Sequence, residues 1–475
     1  MTLDSARLSS VLPLELMPVQ ANPVEQIPTQ ADLVIVGGGI VGATLACALA
    51  DQALQVVVVE AKPQGWGLEN RRAYALTLLT ADIFTGLGLW TALRSQITGF
   101  TQIALSDGFY SQVVKFIPQD LTQDLKRSEL GYVAEHRVIL QVLYDRLRSS
   151  KNVTWLAPAQ VEGVTYPDQE VSGRSTSGAS SSGASSSGTS GSGTSIAPVN
   201  AQVNIRLANQ ETLTIETPLV VAADGSNSPL RQAAGLQTWG WKYWQSCIGF
   251  TVRGDRPHDH IAYEKFCTSG PFAILPLTDQ RCQVVWTAPH EEAEALVRLN
   301  DEAFLEVLTQ RYGTQGGALH LETRPQVFPV RLMQGKSYVR SRLALVGDAA
   351  HCCHPVGGQG MNLGIRDAVA LAEVILHAQH KNEDWGSLRV LQRYDRWRRW
   401  ENWVILAFTD FLDRCFSNEF PPIVILRRLG ILGLCHIQPL RYFALLLMTG
   451  QLGRKPKVYG SPGSPCNCLR ETIKS

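Results

Sequence analysis

The feature that most constrains how this chain can fold is the stretch from Ala31 to Ala50, where a short apolar run meets a cluster of glycines. The run Leu33 to Val36 predicts a strand, and the small and apolar residues after the glycines predict a helix. Between them, Gly37, Gly39 and Gly42 form the pattern G-x-G-x-x-G. The first glycine allows a tight turn, the second lets the backbone approach a pyrophosphate, and the third lets the helix pack close to the strand. The stretch therefore predicts a strand–turn–helix unit whose helix N-terminus binds phosphate.

A second strand and an acidic residue give this glycine pattern its context, since the pattern alone is common. Val56 to Val59 predict a strand that ends in Glu60, about 20 residues after the glycines, where a carboxylate accepts hydrogen bonds from a ribose diol. An acidic residue here favours a nucleotide with a free 2′-hydroxyl, as in FAD or NAD, over NADP. The alternative is an ordinary βαβ unit with a tight first turn. The context favours a dinucleotide and leaves FAD and NAD open.

Length and composition narrow the class of protein further. With 475 residues the chain is long enough for two or three domains. The 43 basic and 42 acidic residues balance, so no nucleic-acid partner is expected. The ten cysteines follow no repeating framework, and a reducing compartment is expected. The first 30 residues lack the features of a signal peptide and no apolar run is long enough to span a bilayer, so a cytoplasmic location is expected.

A second candidate site follows the buried strand predicted at Leu219 to Ala222. This strand leads to Asp224 and Gly225, and a helix start with Ser228 and Arg231 comes next. An acidic residue and a glycine after an apolar strand suit a ligand site beyond the carboxyl end of a parallel strand. A helix N-cap explains Asp224 or Ser228 equally well, so the residues alone leave both interpretations open.

A third candidate site follows the strand predicted at Leu343 to Val346. Gly347 and Asp348 come next, and a loop rich in glycine leads into a helix predicted from Met361 to about Ala378. Two histidines flank two cysteines in the segment His351 to His354. Four consecutive residues cannot all face one ion, so no metal site is predicted. A glycine-rich loop that opens a helix is better suited to stabilising an anion.

Four further segments are assigned to the scaffold or left with two interpretations. Arg72 and its neighbour precede a predicted helix and either contact the phosphates or cofactor ring or remain solvated. The segment 172–195, which is almost wholly Ser, Gly and Thr, predicts a flexible hairpin tip. Glu291 to Tyr312 predict one helix. Ile423 to Met448 predict amphipathic helices that pack on the body, with contact to a membrane surface as the alternative.

Together, the three motifs resemble those of the class A flavoprotein monooxygenases, the aromatic hydroxylases. The glycine pattern with Glu60 resembles the ADP-binding turn of that family, the segment Asp224 to Arg231 its Asp-Gly motif, and the segment Gly347 to Asn362 its Gly-Asp motif. The phrases Leu130 to Glu135 and Tyr394-x-x-x-Arg398 are similar to the ubiquinone-biosynthesis hydroxylases of the UbiH/UbiF/VisC type. The resemblance runs from about residue 31 to 453, without the Ser/Gly segment.

The resemblance implies an α/β fold. Its parts would be a Rossmann-like FAD-binding domain (glutathione-reductase type, p-hydroxybenzoate-hydroxylase-like), an interleaved β-sheet substrate domain and C-terminal helices. The implied FAD-binding domain comprises 31–100, 131–235 and 340–380, with 172–198 as a flexible insertion, and the substrate domain comprises 101–130 and 236–339. Residues 381–455 would form the helical region, 1–30 a disordered arm and 456–475 a tail.

The resemblance also implies which residues hold FAD. Asp348 would meet the ribityl chain, and the loop after it would face the flavin ring. Arg72 occupies the position of an arginine near the flavin in related hydroxylases, and Arg137 precedes the helix that lies along FAD in them. The implied FAD-binding residues are Gly37, Gly39, Gly42, Glu60, Arg72, Arg137, Asp224, Gly225, Gly347, Asp348, Pro355, Gly358, Gly360, Met361 and Asn362. No catalytic residue and no metal ligand is assigned. The chain departs from the family at His136, where most members carry asparagine.

The implied activity is hydroxylation of the aromatic ring of a polyprenylated phenol in ubiquinone or plastoquinone biosynthesis. Dioxygen would react through a flavin C4a-hydroperoxide, with NADPH or NADH as reductant. Because no second G-x-G-x-x-G follows, the reductant would bind transiently, or an electron-donor protein or quinone-biosynthesis complex would supply the electrons. A lipid substrate suits peripheral contact with the cytoplasmic face of a membrane. The rivals are an isoprenoid reductase or cyclase, a non-catalytic flavin-binding assembly subunit, and a halogenase, which Trp239 to Trp244 suggest.

Overall fold

The computed structural model describes residues 27–63, 65–108, 112–121, 127–167, 200–313 and 316–458. The predicted flexible insertion and most of the predicted arm and tail lie outside the described residues. The helices are α1 Ile40–Leu49, α2 Leu78–Gly86, α3 Trp90–Arg94, α4 His136–Arg148, α5 Pro229–Ala233, α6 His290–Arg298, α7 Asp301–Tyr312, α8 Gln359–His380, α9 Leu388–Phe416, α10 Pro421–His436 and α11 Gln438–Met448. The strands are β1 Leu33–Val36, β2 Val56–Val59, β3 Ala73–Leu76, β4 Thr98–Phe100, β5 Gln102–Asp107, β6 Val113–Phe116, β7 Gly131–Glu135, β8 Val153–Leu156, β9 Ala159–Thr165, β10 Ala201–Leu207, β11 Thr212–Thr217, β12 Val220–Ala222, β13 Thr238–Gly254, β14 Ile261–Cys267, β15 Gly270–Pro276, β16 Arg281–Pro289, β17 Leu319–Leu321, β18 Gln326–Gly335, β19 Val339–Arg340, β20 Leu343–Leu345 and β21 His351–Cys352.

A six-stranded sheet with the order β19-β20-β12-β1-β2-β8 carries the three motifs. Strands β20, β12, β1, β2 and β8 are parallel, and the edge strand β19 is antiparallel. The inner strands consist of buried valine, leucine, isoleucine and alanine, as expected for a parallel sheet covered on both faces. Strands β1, β2, β12 and β20 lead into the glycine turn, Glu60, Asp224 and Gly347. All of these therefore lie at one edge of the sheet, the edge where ligands bind in such folds.

A second, mainly antiparallel sheet has the order β21-β18-β13-β16-β15-β14-β5-β6, with β17 paired to β13. One face packs against α6 and α7 around a core that includes Phe250, Phe272, Trp286 and Phe304. Side chains alternate along each strand, so the intervening residues point to the opposite face. We call this opposite face the open face, because its side chains line a cavity.

Two three-stranded sheets complete the arrangement. In one, β9 and β10 are antiparallel neighbours, so the undescribed segment between them joins two strands of one hairpin. In the other, β3, β7 and β4 lie beside the start of α2. This second small sheet places β3, with Arg72 just before it, next to the loop that precedes α8.

Two predicted helices are wrong in detail. Arg72 leads into β3 rather than into a helix, because residues 73–76 pair with β7, and α2 begins only after Thr77 caps it. The single helix predicted from Glu291 to Tyr312 is two helices. Asn300 separates them, since its side chain accepts the N–H of Ala303 and so starts α7.

The C-terminal helices differ most from expectation. Helices α10 and α11 meet at an angle of 100°. Within α10, Ile431 is buried and Leu434 and Cys435 pack against the core, while Ile425, Leu426 and Leu429 are exposed, so this helix packs on the body along one side only. No single described helix is both long enough and apolar enough to cross a membrane, although α10 and α11 together reach that length and composition.

Candidate active site

The glycine turn between β1 and α1 has the geometry that its pattern requires. Gly37 has φ +106°, and a Cβ on it would overlap the carbonyl oxygen of Ala223. A Cβ on Gly42 would overlap the carbonyl oxygen of Gly37, so glycine lets α1 approach the turn this closely. Gly39 caps α1, and a Cβ on it would meet nothing within 4 Å. The backbone is therefore tightly packed at Gly37 and Gly42, whereas the space beside Gly39 is open and large enough for a phosphate.

Glu60 lies beside this turn. Its Oε2 accepts the N–H of Gly38 at 2.7 Å, and its Oε1 accepts the N–H of Lys62 at 2.8 Å. The ring of Trp155 covers the same turn closely enough that only a glycine fits at position 38. Both carboxylate oxygens are therefore held at the end of β2, the position at which a ribose diol is recognised in dinucleotide sites.

The Asp-Gly motif after β12 is tied to the start of α5. Ser228 caps this helix by accepting the N–H of Arg231 at 3.0 Å, and Asp224 Oδ2 accepts the N–H of Leu230 at 3.3 Å. Asp224 Oδ1 is buried and has no hydrogen-bond partner among the described residues, and burial raises the pKa of this carboxyl group. Because buried acceptors are normally satisfied, Oδ1 leaves a place for a hydrogen-bond donor from a ligand.

Arg231 connects the second motif to the third. Its buried guanidinium donates to the carbonyl oxygen of Ala349 at 2.8 Å and to that of Ser226 at 3.1 Å. The arginine of the Asp-Gly motif therefore holds two loops together at the sheet edge.

The Asp348 side chain faces a cavity, while a hydrogen bond on the side away from the cavity fixes the neighbouring backbone of Gly347. Gly347 has φ +58°, and its N–H donates to Asp367 Oδ2 at 3.2 Å. The Asp348 side chain is exposed to the cavity but otherwise surrounded by protein. This desolvation raises the pKa of Asp348 despite the nearby His351 and Arg331. A carboxylate placed in this way can accept hydrogen bonds from ligand hydroxyls.

A buried ionic network lies behind this loop. Asp367 of α8 accepts hydrogen bonds from His351 Nε2 at 2.6 Å and from Arg398 Nε at 2.7 Å, and Asp367 and Arg398 are fully buried. Asn402 donates to Asp367 at 3.1 Å and accepts from Arg398 at 2.6 Å. Burial alone would raise the pKa of Asp367, but His351 and Arg398 lower it to about 2. This network was not predicted from the sequence, although Arg398 belongs to the phrase Tyr394-x-x-x-Arg398 that resembles the hydroxylases.

His354 has a different environment from His351. Its Nδ1 accepts the N–H of Val356 at 3.3 Å, and its Nε2 lies 3.3 Å from Gln245 Oε1. Burial lowers the pKa of His354 to about 3, so the ring is neutral. Among the described residues no group of His, Cys, Asp and Glu is arranged to hold a metal ion.

Helix α8 begins at Gln359, two residues earlier than predicted, because Gly357 and Gly358 turn the chain with φ +66° and +61°. The side chain of Asn362 accepts the N–H of Thr77 at 2.9 Å and donates to the carbonyl oxygen of Ala75 at 2.8 Å. Asn362 therefore fixes the start of α8 against β3, and its side chain is buried.

Arg72 and β3 form the wall opposite the open face. The Arg72 guanidinium lies 3.5 Å from the centre of the Phe328 ring. Tyr74 Oη lies 3.3 Å from His136 Nδ1, and burial, followed by the charge of Arg72, lowers the pKa of His136 to about 4. The N–H of residue 73 donates to Gln283 Oε1 at 3.0 Å, which ties β3 to the large sheet.

A cavity of about 980 Å³ joins these parts. At one end it is bounded by Gly39, Gly225 and Asp348. It then runs between the loop 355–361 and the open face of the large sheet. Helices α9, α10 and α11 form the remaining part of the wall, which is mainly apolar and includes Phe408, Leu412, Leu434, Phe443 and Leu447, together with the ion-paired Arg427. The volume is at the upper end of the range for small-molecule sites.

The predicted FAD-binding residues fall into three groups in the structure. Those in the cavity wall are Gly39, Arg72, Gly225, Asp348, Pro355, Gly358, Gly360 and Met361. Those in the turns that support the wall are Gly37, Gly42, Glu60, Asp224, Gly347 and Asn362. Arg137 lies apart from the cavity wall, exposed and paired with Glu135 at 2.7 Å.

These groups fit FAD. The open space at Gly39 lies at a helix N-terminus, which suits a pyrophosphate. The unpartnered Asp224 Oδ1 and the Asp348 carboxylate suit hydroxyl donors. The start of α8 at Gln359 offers backbone N–H groups to an anionic ring.

Comparisons with known proteins identify the family of this chain. A family described as FAD binding domain matches residues 30–409. An uncharacterised protein of Synechocystis sp. is 44% identical over 429 residues, covering 90% of this chain and 95% of the relative. The ubiquinone hydroxylase UbiL of Rhodospirillum rubrum is 33% identical over 430 residues, covering 90% and 91%. The p-nitrophenol 4-monooxygenase of Pseudomonas putida superposes with a TM-score of 0.69 at 18% identity, covering 90% of this chain and 100% of that chain.

The fold and the site define a flavin-dependent enzyme with the p-hydroxybenzoate-hydroxylase-like architecture, and the predicted fold class is confirmed. The chain belongs to the FAD-dependent aromatic monooxygenases, in the group of quinone-biosynthesis hydroxylases. FAD is its cofactor, and NAD(P)H is the reductant typical of the family.

Proposed function

We propose that this enzyme hydroxylates the aromatic ring of a polyprenylated phenol on the way to ubiquinone or plastoquinone. The observation that carries the proposal is the cavity, which runs from Asp348 at one end to the apolar wall of α9, α10 and α11 at the other. A phenol with an isoprenoid tail has the same order of polar head and apolar chain. The likeness to the ubiquinone hydroxylase of Rhodospirillum rubrum supports this substrate class.

Bound FAD supplies the chemistry that activates dioxygen. The residues of the chain bind and orient the reactants. Gly39 and the N-terminus of α1 would receive the pyrophosphate, Glu60 the adenosine ribose and Asp348 the ribityl hydroxyls. The N–H groups at the start of α8 would stabilise negative charge on the ring, and the apolar side chains of α9 to α11 would exclude water from it.

The exposed apolar face of α10 and α11 supports peripheral contact with a membrane surface. Ile425, Leu426 and Leu429 of α10 are exposed, as are Leu440 and Phe443 of α11. Leu426, Leu440 and Phe443 also line the cavity, so this face is continuous with the apolar end of the cavity. Contact with a membrane would cover the face and let an isoprenoid tail pass from the bilayer into the enzyme.

The halogenase alternative rested on the tryptophans between Trp239 and Trp244. These side chains lie in β13, and Trp239, Trp241 and Trp244 are exposed at the protein surface. None of the three belongs to the cavity wall. They therefore give no support to a halogenase site.

The test is an assay of the purified protein loaded with FAD, supplied with NADH or NADPH and with a short-tailed prenylphenol under isotopically labelled dioxygen. We expect the phenol to stimulate oxidation of the reductant and the product to carry one labelled oxygen atom. Turnover that is independent of dioxygen would indicate an isoprenoid reductase or cyclase instead. FAD binding without phenol-stimulated oxidation, also after addition of an electron-donor protein fraction, would indicate an assembly subunit. The quinone precursor that accumulates after deletion of the gene identifies the ring position.

A further inference from the structure

The open face of the large sheet carries a carboxylate that the site described above does not use. Glu264 lies in β14 and lines the cavity. The next residue, Lys265, points to the opposite face, where its Nζ donates to the carbonyl oxygen of Tyr312 in α7 at 2.8 Å. The alternation of β14 therefore turns Glu264 toward the cavity.

The strand register shows that Glu264 stands in an apolar row. It is paired with Leu105 of β5 on one side and with Ala273 of β15 on the other. Ala273 is paired with Val285 of β16, and Val285 with Gly249 of β13. All of these residues line the cavity. Because Ala273 and Gly249 are small, the row leaves space above the sheet beside the carboxylate.

The other titratable groups on this face are paired or neutral. Asp107 of β5 is bound to Arg427 of α10 at 2.9 Å. Cys247 and Cys415 also line the cavity, and burial raises the pKa of both, so they are uncharged at neutral pH. Strand β15 contributes no titratable side chain to this face.

No hydrogen bond or ion pair reaches the Glu264 carboxylate from any of the described residues. Desolvation therefore raises the pKa of Glu264 to about 8. A carboxylate without a partner in an apolar site costs free energy, so this position is a poor choice for stability alone.

The position of Glu264 suits contact with an aromatic head group. Gln283, which is tied to β3, lies in β16, two strands from β14. Two strand spacings correspond to roughly 10 Å. Glu264 therefore lines the same cavity as β3 and the loop that begins at Pro355, at the distance of a few side chains from the residue that ties β3 to the sheet.

We propose that Glu264 is a catalytic residue that binds the hydroxyl group of the phenolic substrate and accepts its proton. This inference rests on the proposed function, because it needs a phenol in the cavity. The O–H bond of the phenol breaks, the proton passes to a carboxylate oxygen of Glu264, and the electron pair stays on the phenolic oxygen. The electron-rich ring is then the better nucleophile for hydroxylation, and the carboxyl group returns a proton to the product or to water.

The size of the pKa shift makes the carboxylate a useful base. A phenol has a pKa of about 10 and an ordinary glutamate about 4.3, so proton transfer between them is uphill by about six pK units. A pKa of about 8 reduces this difference to about two units. General bases of matched pKa typically accelerate such steps about 10²- to 10⁴-fold.

The experiment compares wild type with Glu264→Gln and Glu264→Asp, each loaded with FAD and assayed with a short-tailed prenylphenol. We expect kcat/KM of the wild type to rise with pH through about 8, because the free enzyme must ionise its base. Glu264→Gln should lose this rise and hydroxylate about 10²- to 10⁴-fold more slowly, with unchanged FAD content. Glu264→Asp should keep the rise at a lower rate. Glu294→Gln, on the exposed side of α6, is the matched control and should behave as wild type.

The outcomes separate the two proposals. Hydroxylation by Glu264→Gln at the wild-type rate, or with the same pH profile, overturns the role of Glu264 and leaves the proposed function intact. A wild-type enzyme that hydroxylates none of the prenylphenols overturns both. If Glu264→Gln fails to retain FAD, the pH profiles of the wild type and of Glu264→Asp decide, and a flat profile in both contradicts the inference.

Discussion

At the scale of single residues, the cofactor site depends on two glycines that do different work. A side chain on Gly42 would overlap the backbone of Gly37, so this glycine is needed for the fold of the turn. A side chain on Gly39 would enter open space at the N-terminus of α1, so this glycine is needed only if a ligand occupies that space. The two positions therefore separate folding from cofactor binding.

We predict that Gly39→Ala destabilises the FAD-free protein by at most about 1 kcal/mol, the usual effect of alanine at a helix N-cap, but binds FAD at least about tenfold more weakly, a loss of about 1.4 kcal/mol. Gly42→Ala should destabilise the FAD-free protein by roughly 1–3 kcal/mol, because the added carbon overlaps backbone. FAD titration followed by flavin fluorescence, together with thermal unfolding, checks both. Gly163→Ala, where a Cβ meets nothing within 4 Å, is the control. Unchanged FAD affinity of Gly39→Ala would place the pyrophosphate elsewhere.

The sequence allowed prediction of what is local in the chain. The turn at Gly37, the acidic strand end at Glu60 and the loop at Asp348 each follow from adjacent residues, and parallel strands bring them to one edge. The pair of Asp367 and Arg398 could not be predicted in the same way, because the two residues meet only when α8 packs against α9. Glu264 also escaped prediction, since a charged residue in an alternating strand normally faces water.

At the scale of elements, α10 and α11 expose apolar side chains on their outer side in addition to the apolar side chains that line the cavity. Two ion pairs anchor these helices from within: Arg427 of α10 forms a buried ion pair with Asp107, and Arg441 of α11 binds Asp120 at 2.6 Å. The outer side carries exposed Ile425 and Leu429. An apolar outer surface with polar anchoring inside is typical of an element that faces lipid.

We predict that the double substitution Ile425→Asp and Leu429→Asp lowers binding to vesicles of phosphatidylcholine and phosphatidylglycerol at least about tenfold, since each apolar side chain contributes roughly 1.5–3 kcal/mol when buried. Neither side chain lines the cavity, so hydroxylation of a water-soluble short-tailed phenol should be unchanged. Co-sedimentation with vesicles measures the effect. Leu299→Asp, exposed at the end of α6, is the matched control. Equal sedimentation of all three proteins would argue against membrane contact.

At the scale of the whole molecule, buried neutral histidines should make the free energy of unfolding depend on pH in the mildly acidic range. Burial lowers the pKa of His354 to about 3, and burial with Arg72 lowers the pKa of His136 to about 4, both below the ordinary value of 6.5. At these two positions the unfolded chain therefore binds protons before the folded protein does, and the contribution of both histidines to stability falls as the pH drops below about 6.5. Asp367, whose pKa is about 2, stays ionised throughout this window and adds nothing to the change.

We predict that His354 lowers the free energy of unfolding by roughly 2 kcal/mol between pH 7.5 and pH 5, while Glu264, whose pKa of about 8 lies above its ordinary value, changes this free energy in the opposite direction. Urea unfolding at a series of pH values measures the slope. Between pH 7.5 and pH 5, His354→Gln should gain roughly 2 kcal/mol of stability relative to wild type, whereas His320→Gln, at an exposed position, should follow wild type. An identical pH dependence of His354→Gln and wild type would contradict the neutral state of His354.

The strand order also bears on how the protein is made. Strand β12 lies between β1 and β20 in the sheet, and β20 is synthesised more than one hundred residues after β12. Until β20 emerges, β12 is an open edge that can pair with other chains. The loop and helix that close the cofactor cavity are synthesised later still. Loading of FAD is therefore a late event in biosynthesis, and the nascent chain must be kept from aggregating until its last third has been translated.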